Sequence, residues 1–363
     1  MTPNLEFELS EAEILFDVKD GLGVMTLNRP KVLNSLSHGI ILEMERVMPE
    51  WEKDPSIKAV VLRGAGDRAF SAGGDVAGLY REMRDNPSGT LRRDFFRDEY
   101  IVNRRIYRYA KPWISLIDGI NMGGGVGLSA HGSHSVVTEK YLFAMPETTI
   151  GLFPDVGGGY FLTRLPGALG TFLALTSYRL KAADAVWAGI ANAFVPSAKI
   201  DELQAALGAA DLSGPRANEK VDAVIDRFKA DAGEQTLPAL MPEIDRCFSA
   251  ETLQEIVAKL KKSNSEFAQK QLAALLKLSP LSMAITLAQL KACANKSFED
   301  TMTIEYRMSQ RCMQKGHDFF EGVRALLIDK DQKPQWNPPT IDGVTAAMVE
   351  EHFRPVSNDL FFD

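Results

Sequence analysis

Short β-rich runs alternate with helical patterns over the first half of the chain, and glycine clusters follow closely behind the runs. Residues 24–27, 59–62, 113–117 and 135–138 read as strands, and the strand-helix-strand rhythm defines an α/β core. Asn28-Arg29-Pro30 ends the first run, since Pro30 removes a backbone donor and biases Arg29 towards extended geometry. Ser37 is placed to cap a helix whose Ile40, Met44, Val47 and Trp51 share one face, and Asp54-Pro55 stops it. A polar, arginine-rich helical region is expected from 76 to 109.

From Leu169 onward the sequence becomes Ala-rich and Leu-rich and reads as helical, with long helices expected over 275–290 and 305–327. Ser213-Gly214-Pro215 marks a junction, and residues 333–339 read as a loop or tail. At 363 residues the chain exceeds the size at which one hydrophobic core usually stops growing. We therefore expect an α/β portion over 1–215, a helical portion over 216–340 and a tail over 341–363.

Composition narrows the function classes. A net charge of −7 gives no general reason to hold nucleic acid or an anionic membrane surface, although a local basic patch can still bind a small anion. Cys247, Cys293 and Cys312 form no Cys-x-x-Cys pair and read as buried free thiols. Glu6, Glu8, Glu11 and Glu13 stand where a targeting segment needs basic residues, so the chain as it stands reads as cytoplasmic; a segment already removed leaves no trace in it.

Glycine is concentrated at Gly73-Gly74, at Gly123-Gly124-Gly125 with Gly127, and at Gly157-Gly158-Gly159. Such loops let backbone approach a ligand closely and point N–H groups at it, as an oxyanion hole requires; tight helix–sheet packing is the competing reading. Gly125-Val126-Gly127-Leu128-Ser129-Ala130 fits the dinucleotide pattern, but the acid roughly 20 residues on, Glu147, follows Pro146 in a loop instead of ending a strand. No G-x-S-x-G elbow surrounds Ser129, and His131 and His134 lack a third ligand at metal spacing. What stands out is a pair of acids in apolar, glycine-bearing loops, Glu147 and Asp155, where partial desolvation raises pKa values and suits general acid/base work; capping or a structural ion pair is the alternative.

Taken in order, Asn28-Arg29-Pro30-Lys31 with Leu33-Asn34, Ala69-Phe70-Ser71-Ala72-Gly73-Gly74-Asp75, the loop 123–127, residues 143–147, residues 151–159 and Gly316-His317-Asp318-Phe319 through Ala325 resemble the crotonase (enoyl-CoA hydratase/isomerase) superfamily. The C-terminal motif resembles its thioester-hydrolase branch. The resemblance implies a spiral of strand-strand-helix repeats with a C-terminal helical region that covers the site. It implies an acyl-CoA substrate, no metal, no separate cofactor, and trimer-type contacts in relatives. It also implies that the N–H groups of Gly74 and Gly124 receive the thioester oxygen. Plain hydratases of the family carry two glutamates. The second matches Glu147, whereas Gly127 stands at the position of the first, and Asp155 stands where most hydratases have glycine. That exchange favours thioester hydrolysis over hydration, and the resemblance implies 3-hydroxyisobutyryl-CoA of valine breakdown as the substrate, with enoyl-CoA hydration or isomerisation as the alternative. By the same resemblance Glu147 activates water or attacks the carbonyl directly, and Asp155 handles protons or holds the substrate hydroxyl. Glu99 contacts substrate, and Arg29 and Lys31 are candidates for the CoA phosphates.

Overall fold

The computed structural model describes residues 12–362, so Glu6, Glu8 and Glu11 lie outside the described residues. The strands form two sheets. The larger runs β1 (Ile14–Lys19), β2 (Leu22–Leu27), β3 (Ala59–Gly64), β5 (Trp113–Ile117), β7 (His134–Val137) and β9 (Ala193–Phe194). The smaller runs β4 (Ala69–Ser71), β6 (Ile120–Met122) and β8 (Leu142–Ala144). β1 and β2 pair antiparallel and every other neighbour is parallel. After the β1–β2 hairpin, three successive turns of the chain (β3–β4, β5–β6 and β7–β8) each lay one strand in the large sheet, a short strand in the small sheet and then helical structure, which is the strand-strand-helix spiral expected.

The large sheet is covered on both faces, which is why its strands read as continuous apolar runs. Side chains alternate: Val60 and Leu62 enter the main core, while Ala59, Val61, Ile114 and Leu116 face the other way. Helices Ile200–Ala209 and Ala217–Ile225 pack on this second face, on either side of the Ser213-Gly214-Pro215 turn. The small-sheet strands are three residues each and lie where the sequence reads as glycine-rich loop, too short to show a period. Ser37 caps helix His38–Lys53, accepting from the Ile40 N–H at 3.2 Å, and Ile40, Met44, Val47 and Trp51 are all buried. The arginine-rich region divides into helices Val76–Asp85 and Leu91–Tyr107, because Pro87 disfavours helical geometry at Asn86.

Both long C-terminal helices expected from the sequence are broken. Over 275–290, helix Glu266–Leu275 ends and Pro280–Cys293 begins afresh with Ser279 as its cap and Pro280 in its first turn. Over 305–327, helix Phe298–Cys312 stops before Gly316, which sits at φ +87°. Helix Asp318–Val323, capped by the His317 ring, then continues into a π turn at Arg324–Ile328. The described part of the expected tail, residues 341–362, packs back on the helices: Arg307 pairs with Asp359 at 2.7 Å, and Thr303 Oγ1 donates to Leu360 O at 2.8 Å.

This last helical motif is pressed backbone to backbone against the loop following β8. A Cβ on Gly322 would fall 2.5 Å from the Ile150 carbonyl carbon, and one on Gly151 would fall 2.5 Å from Asp318 O. Asp318 is itself tied down, accepting from Ser279 Oγ at 2.5 Å and from the Asn337 N–H at 2.8 Å. The helical region thus sets the position of the single helical turn that begins at Glu147. Gly322→Ala is expected to cost about 1–3 kcal/mol by overpacking and to lower turnover as well, because the displaced atoms belong to that turn; denaturant unfolding and a thioesterase assay check the two effects.

Candidate active site

Parallel strands β4, β6 and β8 deliver three loops to the same end of the small sheet, bearing Gly74, Gly124 and Glu147. There they surround a cavity of about 220 Å³, lined also by Phe95, Phe96, Glu99 and Asp155, with Leu326 and Leu327 of the π turn across it. Gly73 (φ +99°) and Gly123 (φ +49°) adopt backbone conformations that side chains resist, and each precedes one of the N–H groups in question. The two loops touch: a Cβ on Gly124 would lie 3.3 Å from the Gly74 nitrogen. Among the described residues neither the Gly74 nor the Gly124 N–H donates to a protein acceptor, which fits a pair of donors presented to a ligand.

Three carboxyl groups share this cavity. Glu99 is 2 % exposed, Glu147 4 % and Asp155 4 %. Burial pushes Glu147 and Glu99 well above the usual carboxylate range, and the charge of Asp155 adds to both. Burial likewise pushes Asp155 up to about 7, against the pull of the Tyr100 hydroxyl, which donates to Asp155 Oδ2 at 2.8 Å. Among the described residues Glu147 Oε2 and Glu99 Oε1 have no hydrogen-bond partner. Such buried acceptors are costly unless something else fills them, so both are poised to meet a ligand or its protons.

Tyr100 is a site residue that the sequence reading missed. Phe96, Glu99, Tyr100 and Asn103 are all buried on helix Leu91–Tyr107 and recur at i, i+3, i+4 and i+7. Polar residues on the apolar stripe of a helix were the available signal. From charge alone Glu99 passes as a surface acid.

Gly127 explains itself in three dimensions. A Cβ there would lie 2.6 Å from Val156 Cβ and 3.0 Å from Asn103 Nδ2. The residue after Asp155 therefore occupies the space that a side chain at 127 would need. One carboxylate position is closed and another opened by the same loop.

The basic candidates lie elsewhere. Arg29 pairs with Glu13 at 2.9 Å and Asp75 at 3.1 Å and donates to Ser35 O, so its charge is taken up in holding residues 29–35 against the start of helix Val76–Asp85. Lys31 is exposed. Neither is among the residues that line the cavity. His131 donates through Nε2 to Val156 O at 2.7 Å, while His134 lies 3.3 Å from Asp222, so the two rings serve different partners. Cys312, His317 and His352 do converge within 4.8 Å. However, His317 Nδ1 accepts from the Phe319 N–H and His352 Nδ1 faces Met348 O, which puts a proton on His317 Nε2, directed at His352 Nε2 3.0 Å away. As arranged, the His317 nitrogen facing the cluster carries a proton where a metal needs a lone pair. All three cysteines are buried and unpaired, as expected.

Residues 22–353 match the enoyl-CoA hydratase/isomerase family, and the chain belongs to it. It is 48 % identical to the mitochondrial 3-hydroxyisobutyryl-CoA hydrolase of Gallus gallus, with 96 % of this chain and 91 % of that protein covered. Against the Homo sapiens protein of the same name it is 46 % identical over the same shares. Among solved structures it resembles a carnitinyl-CoA dehydratase from Mycobacterium thermoresistibile (TM-score 0.89, 40 % identity, 97 % of this chain and 99 % of that one). It also resembles an enoyl-CoA hydratase from Rhodobacter sphaeroides 2.4.1 (TM-score 0.87, 38 % identity, 95 % and 98 %). These names correct the cytoplasmic expectation: the curated relatives are mitochondrial proteins. The acidic residues at the start of the chain say nothing about compartment, because an address is read from a separable segment and not from the folded body.

Two outcomes follow from this packing. Gly127→Ala is expected to destabilise the fold by about 1–3 kcal/mol, measured by denaturant unfolding, since Val156 must move. Because the folded-state pKa of Glu147 is raised, the unfolded chain releases its proton first, and stability falls as pH rises from the ordinary carboxylate range towards the folded value. Glu147→Gln, which mimics the protonated acid, should therefore melt above wild type at pH 8 and converge with it near pH 4; thermal scans across this range check the sign.

Proposed function

We propose that this protein hydrolyses 3-hydroxyisobutyryl-CoA to 3-hydroxyisobutyrate and free CoA, the thioesterase step of valine breakdown. The observation that carries this reading is the exchange of carboxylates around one loop. Val156 fills the space beside Gly127, and Asp155 enters the cavity opposite Glu147. The curated relatives at 48 % and 46 % identity, named as hydrolases, support it. The small cavity suits a short branched acyl group better than a long chain.

In this reading the thioester oxygen sits between the Gly74 and Gly124 N–H groups, which strengthen their hold as negative charge develops on it; losing one such donor typically costs about 10²- to 10³-fold in rate. Glu147 delivers the attack on the carbonyl carbon, either by taking a proton from water, which adds to it, or by adding its own Oε2, in which case the mixed anhydride left after the thiolate departs is cleaved by water at the acyl carbon and Glu147 is freed. The carbon–sulfur bond breaks, the sulfur leaves as thiolate and takes up a proton, and the oxygen gained from water ends in the product carboxylate. Asp155, with Tyr100 fixing one of its oxygens, handles the proton or holds the substrate hydroxyl. Glu99, with Oε1 free, accepts a hydrogen bond from the substrate. Lys31 is the better placed of the two basic residues for the CoA phosphates, since Arg29 is already paired.

A hydratase reading is favoured by the names of the two solved structures at 40 % and 38 % identity. The two readings separate on two substrates. Thiol release from 3-hydroxyisobutyryl-CoA with no loss of the crotonyl-CoA chromophore is expected; chromophore loss without thiol release overturns the hydrolase, and silence with both indicates an idle acyl-CoA-binding scaffold. Glu147→Gln should abolish turnover while acyl-CoA binding stays within a few-fold of wild type, read by kinetics and calorimetry.

A further inference from the structure

The loop that carries Asp155 is held from behind by a carboxylate that does not line the cavity. Val156 has φ +52°, a left-handed conformation that a β-branched residue adopts only where its surroundings enforce it. The enforcement is visible. Leu152 O accepts from Ser282 Oγ, Pro154 O from Gln289 Nε2 at 2.7 Å, and Val156 O from His131 Nε2 at 2.7 Å. The Gly157 and Gly159 N–H groups donate to the two oxygens of Glu305 at 2.7 and 2.8 Å, and Gln289 Nε2 reaches Glu305 Oε1 at 2.9 Å.

Glu305 is fully buried on helix Phe298–Cys312, 146 residues from Gly159 in sequence. Its two oxygens meet three donors. No neutral side chain of this shape does the same, because glutamine would set an NH₂ against one of the loop N–H groups. The fit is close: a Cβ on Gly159 would lie 3.1 Å from Glu305 Oε1.

We propose that Glu305 is a positioning residue for the hydrolysis: by gripping Gly157 and Gly159 it holds Val156 in its strained conformation and so aims the Asp155 carboxyl at Tyr100 and the cavity. The proposal rests on the part given to Asp155 in the reaction above. It makes Glu305 a working part of the site, although Glu305 does not line the cavity.

The test uses the full chain with Glu305→Gln and the milder Glu305→Asp, which keeps the charge but shortens the reach. Activity is expressed per folded molecule, with folding scored by near-UV circular dichroism. Glu305→Gln is expected to lower kcat about 10- to 100-fold, the scale of an ångström-level misplacement at a reacting centre, with KM little changed. Glu305→Asp should fall in between and serves alone if the first variant does not fold. Amide exchange should quicken over residues 155–159 and not across the large sheet. An unchanged kcat per folded molecule, or unchanged exchange in that loop, overturns the proposal. Wild-type protein that releases no thiol overturns the reaction assignment and this proposal with it, whereas normal wild-type turnover with an unimpaired variant overturns this proposal alone.

Discussion

Burying several acids in one interior without letting them repel the fold apart is the constraint on which this structure depends. Glu99, Glu147 and Asp155 share the cavity, and Glu305 lies behind it. Tyr100 donates to Asp155, and Gly157, Gly159 and Gln289 donate to Glu305, while Glu99 Oε1 and Glu147 Oε2 have no partner among the described residues; desolvation raises the pKa of all four. Such a cluster lowers stability at neutral pH, and carboxyl groups with raised pKa values gathered in a cleft are what functional sites commonly show. For a thioesterase the raised values are useful, because a proton can then be taken and returned near neutral pH.

The helical C-terminal region answers that constraint. It does not merely roof the spiral. Through Gly322 against Ile150 it sets the turn that starts at Glu147, and through Ser282, Gln289 and Glu305 it holds the loop after Gly151. Both acids are therefore anchored to the helical region, and the π turn at Arg324–Ile328 places Leu326 and Leu327 in the cavity lining with them. A dry, shaped site follows from the same contacts that support its acids.

A strained residue at 156 fills the place of a side chain at 127, and the residue before it, Asp155, enters the cavity that Glu147 also lines. The N–H groups of Gly74 and Gly124 stand where the parallel strands of the small sheet put them. In the reading proposed above, oxyanion stabilisation follows from the spiral, while the choice of reaction follows from one loop and the helices that hold it.

The sequence by itself determined four of the six strands of the large sheet, β2, β3, β5 and β7, through continuous apolar runs; the Ser37 cap; the glycine loops; and Glu147 and Asp155 as acids in apolar settings. Each of these is local, readable within a few residues. It did not reveal the three-residue strands of the small sheet, which have no period of their own, nor the breaks at Ser279 and Gly316, where local chemistry competes with helical composition. Tyr100 and Glu305 were also hidden, because on their helices they look like ordinary polar residues and acquire a purpose only from loops 55 and about 150 positions away. Only the tertiary structure decided which acids share a cavity, that Arg29 is occupied by Glu13 and Asp75, and that Gly127 has no room for a side chain. The physical reason is the same in each case: desolvation, pairing and steric exclusion are properties of what surrounds a residue in space, and a chain read in order does not contain its own surroundings.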